Sequence, residues 1–137
     1  MEAVNKGAYE SGKSPSIGLN IVLPFEQVTN RYATSNFVFS NLSARKFALI
    51  ERSSAFLVFP GGFGTLDEFF EILVLVQTGF KRAQIYLYDE EFYAPLMEFF
   101  RTSLLKSGAI NESDLQNFKL CDSVDEILAD VRRKENE

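Results

Sequence analysis

The chain has 137 residues, a formal net charge of −5 and no histidine. That length suits one domain with one core. The acidic balance argues against a basic nucleic-acid surface, and the missing histidine removes Ser-His and Cys-His nucleophile pairs and His-rich zinc sites.

Residues 1–11 read as a helix already under way, with Ala3, Val4 and Ala8 on one side and Gly12 as its C-cap. Residues 16–21 read as a strand. A loop over 23–30 follows, where Pro24 argues against a continued central strand. Residues 36–40 make a second short strand. Over 42–52 the spacing is helical, with Leu42, Phe47, Ala48 and Ile50 apolar and Arg45 and Lys46 between them.

Residues 54–59 are almost wholly apolar and suit a strand buried on both faces of a parallel sheet. Pro60-Gly61-Gly62-Phe63-Gly64 then turns the chain into a helix expected over 65–78, closed by Gly79. Residues 83–88 are another strand, and Asp89 can cap a helix over 90–106 that ends at Gly108. A helical turn opens at 111–114, a last strand runs over 118–121, and Ser123 with Glu126 forms a capping box for the final helix. The charged residues 132–137 read as a frayed, solvated end. Strands alternating with helices predict a single α/β domain over 1–137, with a parallel sheet and right-handed crossovers.

The stretch from Phe59 to Glu68 organises the rest. Glycines let backbone N–H groups approach a ligand closely, and the following helix points its N-terminal amides and dipole at the same spot. That makes a pocket for a phosphate or another anion. The competing reading is structural: Thr65 and Glu68 also have the spacing of a capping box. The spacing is neither the dinucleotide G-x-G-x-x-G nor a P-loop.

Glu68 stands one turn into the helix, where its carboxylate can face what the loop holds, as a general base or a cation stabiliser. Glu71 shares its face, three residues on, and reads as structural or supporting. Arg45 and Lys46 are adjacent, so one is expected to face the site and the other solvent; the plainer reading is a solvated helix face. Phe37, Phe39, Phe69, Phe70, Phe99 and Phe100 follow strand and helix periods and are expected in the core. Cys121, the one cysteine, allows no intrachain disulfide and reads as an inert buried thiol. A cytoplasmic setting is the simplest expectation, with no membrane partner, since no apolar run spans a bilayer and no signal-peptide pattern opens the chain.

Pro60-Gly61-Gly62-Phe63-Gly64-Thr65-Leu66-Asp67-Glu68 matches the PGGxGTxxE signature of the LOG (Lonely Guy) family, whose members were long labelled lysine decarboxylases. Arg45-Lys46 matches an Arg-Lys pair that the family carries one helix earlier. Met1 to Ala8 resembles the helix after the family's first glycine-rich loop, and Leu23-Pro24-Phe25-Glu26-Gln27 and Gln77-Thr78-Gly79 also resemble family segments. The resemblance implies a Rossmann-like fold with helices on both faces of the sheet. It further implies hydrolysis of the N-glycosidic bond of a nucleoside 5′-monophosphate, a cytokinin riboside monophosphate or AMP-like, to free base and ribose 5-phosphate. By motif position Arg45 and Glu68 correspond to the catalytic pair. Gly61, Gly62, Phe63, Gly64, Thr65 and Leu66 correspond to the phosphate and substrate loop, with Lys46 beside it. Glu26 falls near a family substrate contact. No cofactor and no metal are implied, and family members associate as homodimers or higher homo-oligomers.

Decarboxylation would need pyridoxal phosphate on a Schiff-base lysine, and the sequence supplies no site for it. Two departures from the family pattern stand out. Leu42 occupies a position that is often Met, and the chain begins where family members have already made a strand, a helix and a first glycine-rich loop. It is therefore expected to be truncated at its N-terminus, with part of the nucleotide pocket missing. That keeps two alternatives beside the enzyme: a non-catalytic nucleotide- or phosphate-binding protein related in fold to the molybdenum-cofactor carriers, and an inactive family remnant.

Overall fold

A computed structural model describes residues 2–22 and 30–135. The chain is α/β with parallel strands, consistent with a Rossmann-like fold, and divides into two compact units, Met1–Arg52 and Ser53–Glu137.

The first unit holds α1 (Glu2–Ser11), β1 (Ile17–Ile21), β2 (Ser35–Phe39) and α2 (Leu42–Glu51). β1 and β2 pair in parallel, from Ile17↔Ser35 to Ile21↔Phe39. A parallel pair needs a crossover connection. Here the residues next to the connection are tied down by a polar network around Ser16, which is buried. Asn5 Nδ2 donates to Ser16 Oγ at 2.8 Å, Asn30 Nδ2 donates to Asn5 Oδ1 at 2.9 Å, and Ser16 N–H donates to Thr34 Oγ1 at 3.0 Å. These bonds satisfy groups that would be costly to bury alone. Asn41 caps α2, its Oδ1 accepting from Ala44 N–H at 3.1 Å. Leu42 and Phe47, expected among the apolar residues of the helix, are 49% and 64% exposed, and Ile50 is buried.

The second unit holds β3 (Ala55–Val58), α3 (Phe63–Gln77), β4 (Gln84–Tyr88), α4 (Glu90–Phe99), β5 (Lys119–Cys121) and α5 (Val124–Glu135). Its three strands are parallel in the order β3-β4-β5, with Val58 opposite Leu87 and Tyr88 opposite Cys121. Ile85, Tyr86 and Leu87 are buried, as befits a central parallel strand. Phe69, Phe100 and Phe118 form an aromatic core, with Phe118 edge-on to both partners at 5.7 and 6.1 Å. Cys121 is buried as expected, and burial pushes its thiol pKa up, away from nucleophilic use.

Four expectations are corrected. α3 begins at Phe63 rather than Thr65, and its N-cap is the extended Gly62 without a side-chain cap bond, so Thr65 lies inside the first turn and does not cap the helix. The helix expected over 90–106 is α-helical only to Phe99 and then widens into a π-helical turn, Phe100–Leu105. Arg132 to Glu135 stay helical, where Asp130 accepts from Arg133 Nη2 at 2.5 Å and from Lys119 Nζ at 2.7 Å. Of the aromatics expected in the core, Phe69 and Phe100 are buried, but Phe37 and Phe99 are half exposed and Phe70 is 38% exposed.

Candidate functional site

The loop leaves the carboxyl end of β3, the end at which open α/β sheets bind ligands. Phe59 is held on both sides: its ring packs against Tyr88 at 5.2 Å, and its carbonyl accepts from Tyr93 Oη at 2.9 Å. Pro60, Gly61 and Gly62 then turn the chain into α3. A Cβ on Gly61 would collide with Thr65 Oγ1 and stand 2.8 Å from Thr65 Cβ, so only glycine fits between the turn and the helix. Nothing lies within 4 Å of a Cβ placed on Gly62 or Gly64. The two glycines thus leave an open surface rather than a packed one.

The first α3 hydrogen bond runs from Leu66 N–H to Gly62 carbonyl at 3.1 Å. The amides of Phe63, Gly64 and Thr65 therefore precede the helix's own ladder, and with the dipole they favour an anion. Phe63, the first helical residue, is 93% exposed. Thr65, Leu66, Glu68 and Glu71 are half-buried, and one Glu71 carboxylate oxygen is buried. Glu68 follows Gly64 by four residues and Thr65 by three, so it lies on their face of the helix. The structure thus collects Gly61, Gly62, Phe63, Gly64, Thr65, Leu66, Glu68 and Glu71 on one turn and helix of the second unit.

Arg45 and Lys46 lie on α2 in the first unit, and both are half-buried. Half burial takes both off a fully solvated helix face. Arg45 Nε donates to the Leu19 carbonyl in β1 at 3.1 Å, which commits one of the five guanidinium N–H donors to backbone. Burial lowers the Arg45 pKa, yet a guanidinium stays charged throughout the physiological range. The result is a fixed cation anchored on a strand. Glu26 lies outside the described residues. Among the described residues no group of His, Cys, Asp and Glu side chains could hold a metal ion, and no helix is long and apolar enough to cross a membrane. Tyr93, which holds the loop, is missing from the sequence reading. In a helix opening Glu90-Glu91-Phe92-Tyr93 nothing marks its hydroxyl as reaching a distant carbonyl.

Comparison with known proteins points to one family. A family model described as "Possible lysine decarboxylase" matches residues 1–131. A cytokinin riboside 5′-monophosphate phosphoribohydrolase of Rhodococcoides fascians is 29% identical over 100 residues, 72% of this chain and 50% of the relative. A probable enzyme of the same name from Oryza sativa subsp. japonica is 26% identical over 129 residues, 93% of this chain and 56% of the relative. One from Mycobacterium tuberculosis is 26% identical over 107 residues, 78% of this chain and 57% of the relative. The chain thus spans about half the length of these curated relatives. With the glycine loop built on β3 and α3 and the match running through almost all of the residues, this chain belongs to the LOG family, the group whose model carries the lysine-decarboxylase description.

Proposed function

We propose that this chain takes part in hydrolysis of the N-glycosidic bond of a nucleoside 5′-monophosphate, releasing free base and ribose 5-phosphate. The observation that carries the reading is the loop into α3: a sterically enforced Gly61–Thr65 approach, open surface at Gly62 and Gly64, and a carboxylate one turn on. The loop amides and Thr65 take the 5′-phosphate and so fix the sugar. Breaking the C1′–N bond builds positive charge on the ribose, which Glu68 stabilises while it orients water. The water oxygen bonds to C1′ and its proton ends on the departing base nitrogen; Arg45 and Lys46 are assigned to the same reaction by their motif positions alone. The names of the relatives support the same reaction.

The test is chromatographic detection of free base from AMP and cytokinin riboside monophosphates. Glu68→Gln keeps the shape and removes the charge, so turnover falls roughly 10²–10⁴-fold, with circular dichroism checking that the variant folds. Undiminished base release by Glu68→Gln rejects the mechanism. Phosphate binding by the unmutated chain without any base release favours a carrier instead.

The same reading includes self-association. Phe63, Phe70 and Val74 are exposed at α3 positions separated by seven and four residues, an apolar stripe on one helix face. We expect a homodimer that Val74→Glu weakens in light scattering; an unmutated chain that stays monomeric at millimolar concentration contradicts this.

A further inference from the structure

We infer that Tyr93 is the positioning residue of the glycine loop, holding through its hydroxyl the one backbone carbonyl from which the loop departs. Tyr93 is 1% exposed, and its Oη donates to the Phe59 carbonyl at 2.9 Å. The next residue, Pro60, has no N–H, so the turn cannot be fixed by an amide at that point. The carbonyl before it is the available handle. Removing the phenolic hydroxyl takes from that carbonyl the donor that fixes its direction.

The phenol is in turn fixed by the start of α4. Asp89 sits at φ 83°, a conformation uncommon outside glycine. It is held there from three sides: Asp89 N–H donates to the Cys121 carbonyl at 3.2 Å, Asp89 Oδ1 accepts from Phe92 N–H at 2.9 Å, and the Asp89 carbonyl accepts from Tyr93 N–H at 3.2 Å. Glu90 N–H donates to Asp122 Oδ1 at 2.8 Å. The carboxyl ends of β5, β4 and β3 are therefore joined by one run of hydrogen bonds that ends at the loop. This run lies within one compact unit, and its ring anchor is closely packed, with Phe92 edge-on to Tyr93 at 4.9 Å.

The functional consequence rests on the phosphate-loop reading proposed above. Glu68 rides on α3, whereas the bond from Tyr93 holds the loop before it. Loosening the loop therefore weakens the grip on phosphate and leaves the chemical step in place. The experiment compares the unmutated chain with Tyr93→Phe, with 3-fluorotyrosine at position 93, and with Tyr86→Phe as a second buried phenol away from the loop. It reads amide exchange at Gly61 and Gly62, affinity for ribose 5-phosphate by calorimetry, and KM against kcat.

Tyr93→Phe is expected to speed exchange at both glycines and to raise the ribose 5-phosphate Kd and the KM roughly five- to tenfold, with kcat within about twofold. 3-Fluorotyrosine, a stronger donor, slows the same exchange, which keeps the test open should Tyr93→Phe not fold. Tyr86→Phe leaves the loop readouts unmoved. Unchanged exchange at Gly61 and Gly62 in Tyr93→Phe and with fluorotyrosine, or an equal effect from Tyr86→Phe, overturns the assignment. An unmutated chain that does not bind ribose 5-phosphate refutes the phosphate-loop reading instead, and glycine exchange still decides the role of Tyr93.

Discussion

Replacing the three loop glycines by alanine one at a time separates packing from ligand surface. In Gly61→Ala the new methyl meets Thr65 Cβ at 2.8 Å and Cγ2 at 3.2 Å, as well as its hydroxyl oxygen. A rotamer change can move Oγ1 and Cγ2, but Cβ is fixed by the α3 backbone, so the loop or the helix start must shift. Overpacking of this kind costs about 1–3 kcal/mol. In a chain of this size each 1 kcal/mol is worth roughly 4 °C, so the unfolding midpoint should fall by roughly 4–12 °C. Gly62, extended at φ −90° and open, should tolerate alanine within about 0.5 kcal/mol. Gly64 lies within the first turn of α3, where alanine is favoured by up to about 1 kcal/mol. Thermal melts of the three variants, with calorimetry against ribose 5-phosphate, give the pattern: Gly61→Ala loses stability, while Gly62→Ala and Gly64→Ala keep it and lose affinity. A Thr65→Ala background should relieve only part of the Gly61→Ala loss, because Cβ remains. A Gly61→Ala midpoint within about 1 °C of the unmutated chain, or equal to that of Gly62→Ala, refutes the steric argument.

Two further predictions concern pH. Hydrogen bonds from Lys119 and then Tyr86 hold the Asp130 carboxyl well below the ordinary aspartate range. Its contribution is therefore present above the unfolded value of about 3.9 and is lost as pH falls through the lower folded value, so Asp130→Asn should flatten the acid limb of the stability curve below about pH 4. An unchanged acid limb contradicts this. Burial, and then the bond to Asp130, pushes the Tyr86 phenol up, and burial with nearby Asp89 does the same for Tyr93. Their neutral forms stabilise the fold fully below about pH 10, and the gain is lost as pH rises through the raised values. In an alkaline ultraviolet titration Tyr86→Phe and Tyr93→Phe should each remove one late-ionising phenol, and loss of an early one instead would contradict the burial argument.

The elements most legible in the sequence are those whose signal is local. The run 54–59 and the glycines after it announce a buried strand and a turn, and β3 and α3 follow within two residues. Asp89 and Asn111 lead their helical turns as their side chains suggest, with Asp114 Oδ2 accepting from Asn111 N–H at 2.7 Å. Legibility fails where two local patterns coincide. Thr65 and Glu68 have capping-box spacing, yet the chain is already helical at Phe63 because Gly62 supplies the extended cap. The apolar spacing from Phe92 to Leu105 fits a wider turn as well as an α-helix, so the π-helical turn leaves no mark of its own.

What the sequence hides is long-range. Periodicity says that Phe37 and Phe99 share faces with other apolar residues, not that those faces are covered, and both are half exposed. It marks Arg45 as a cation on a helix, and cannot say that its Nε reaches the Leu19 carbonyl 26 residues away. Tyr93 is the sharpest instance. Its burial follows from helix spacing, but its use follows from where Phe59 leaves β3, 34 residues earlier, and that pairing is created only when the strands are laid side by side. The motif therefore names the loop, while the groups that hold the loop still lie outside the motif. A variant with every signature residue intact can lose affinity through a phenol that no signature includes.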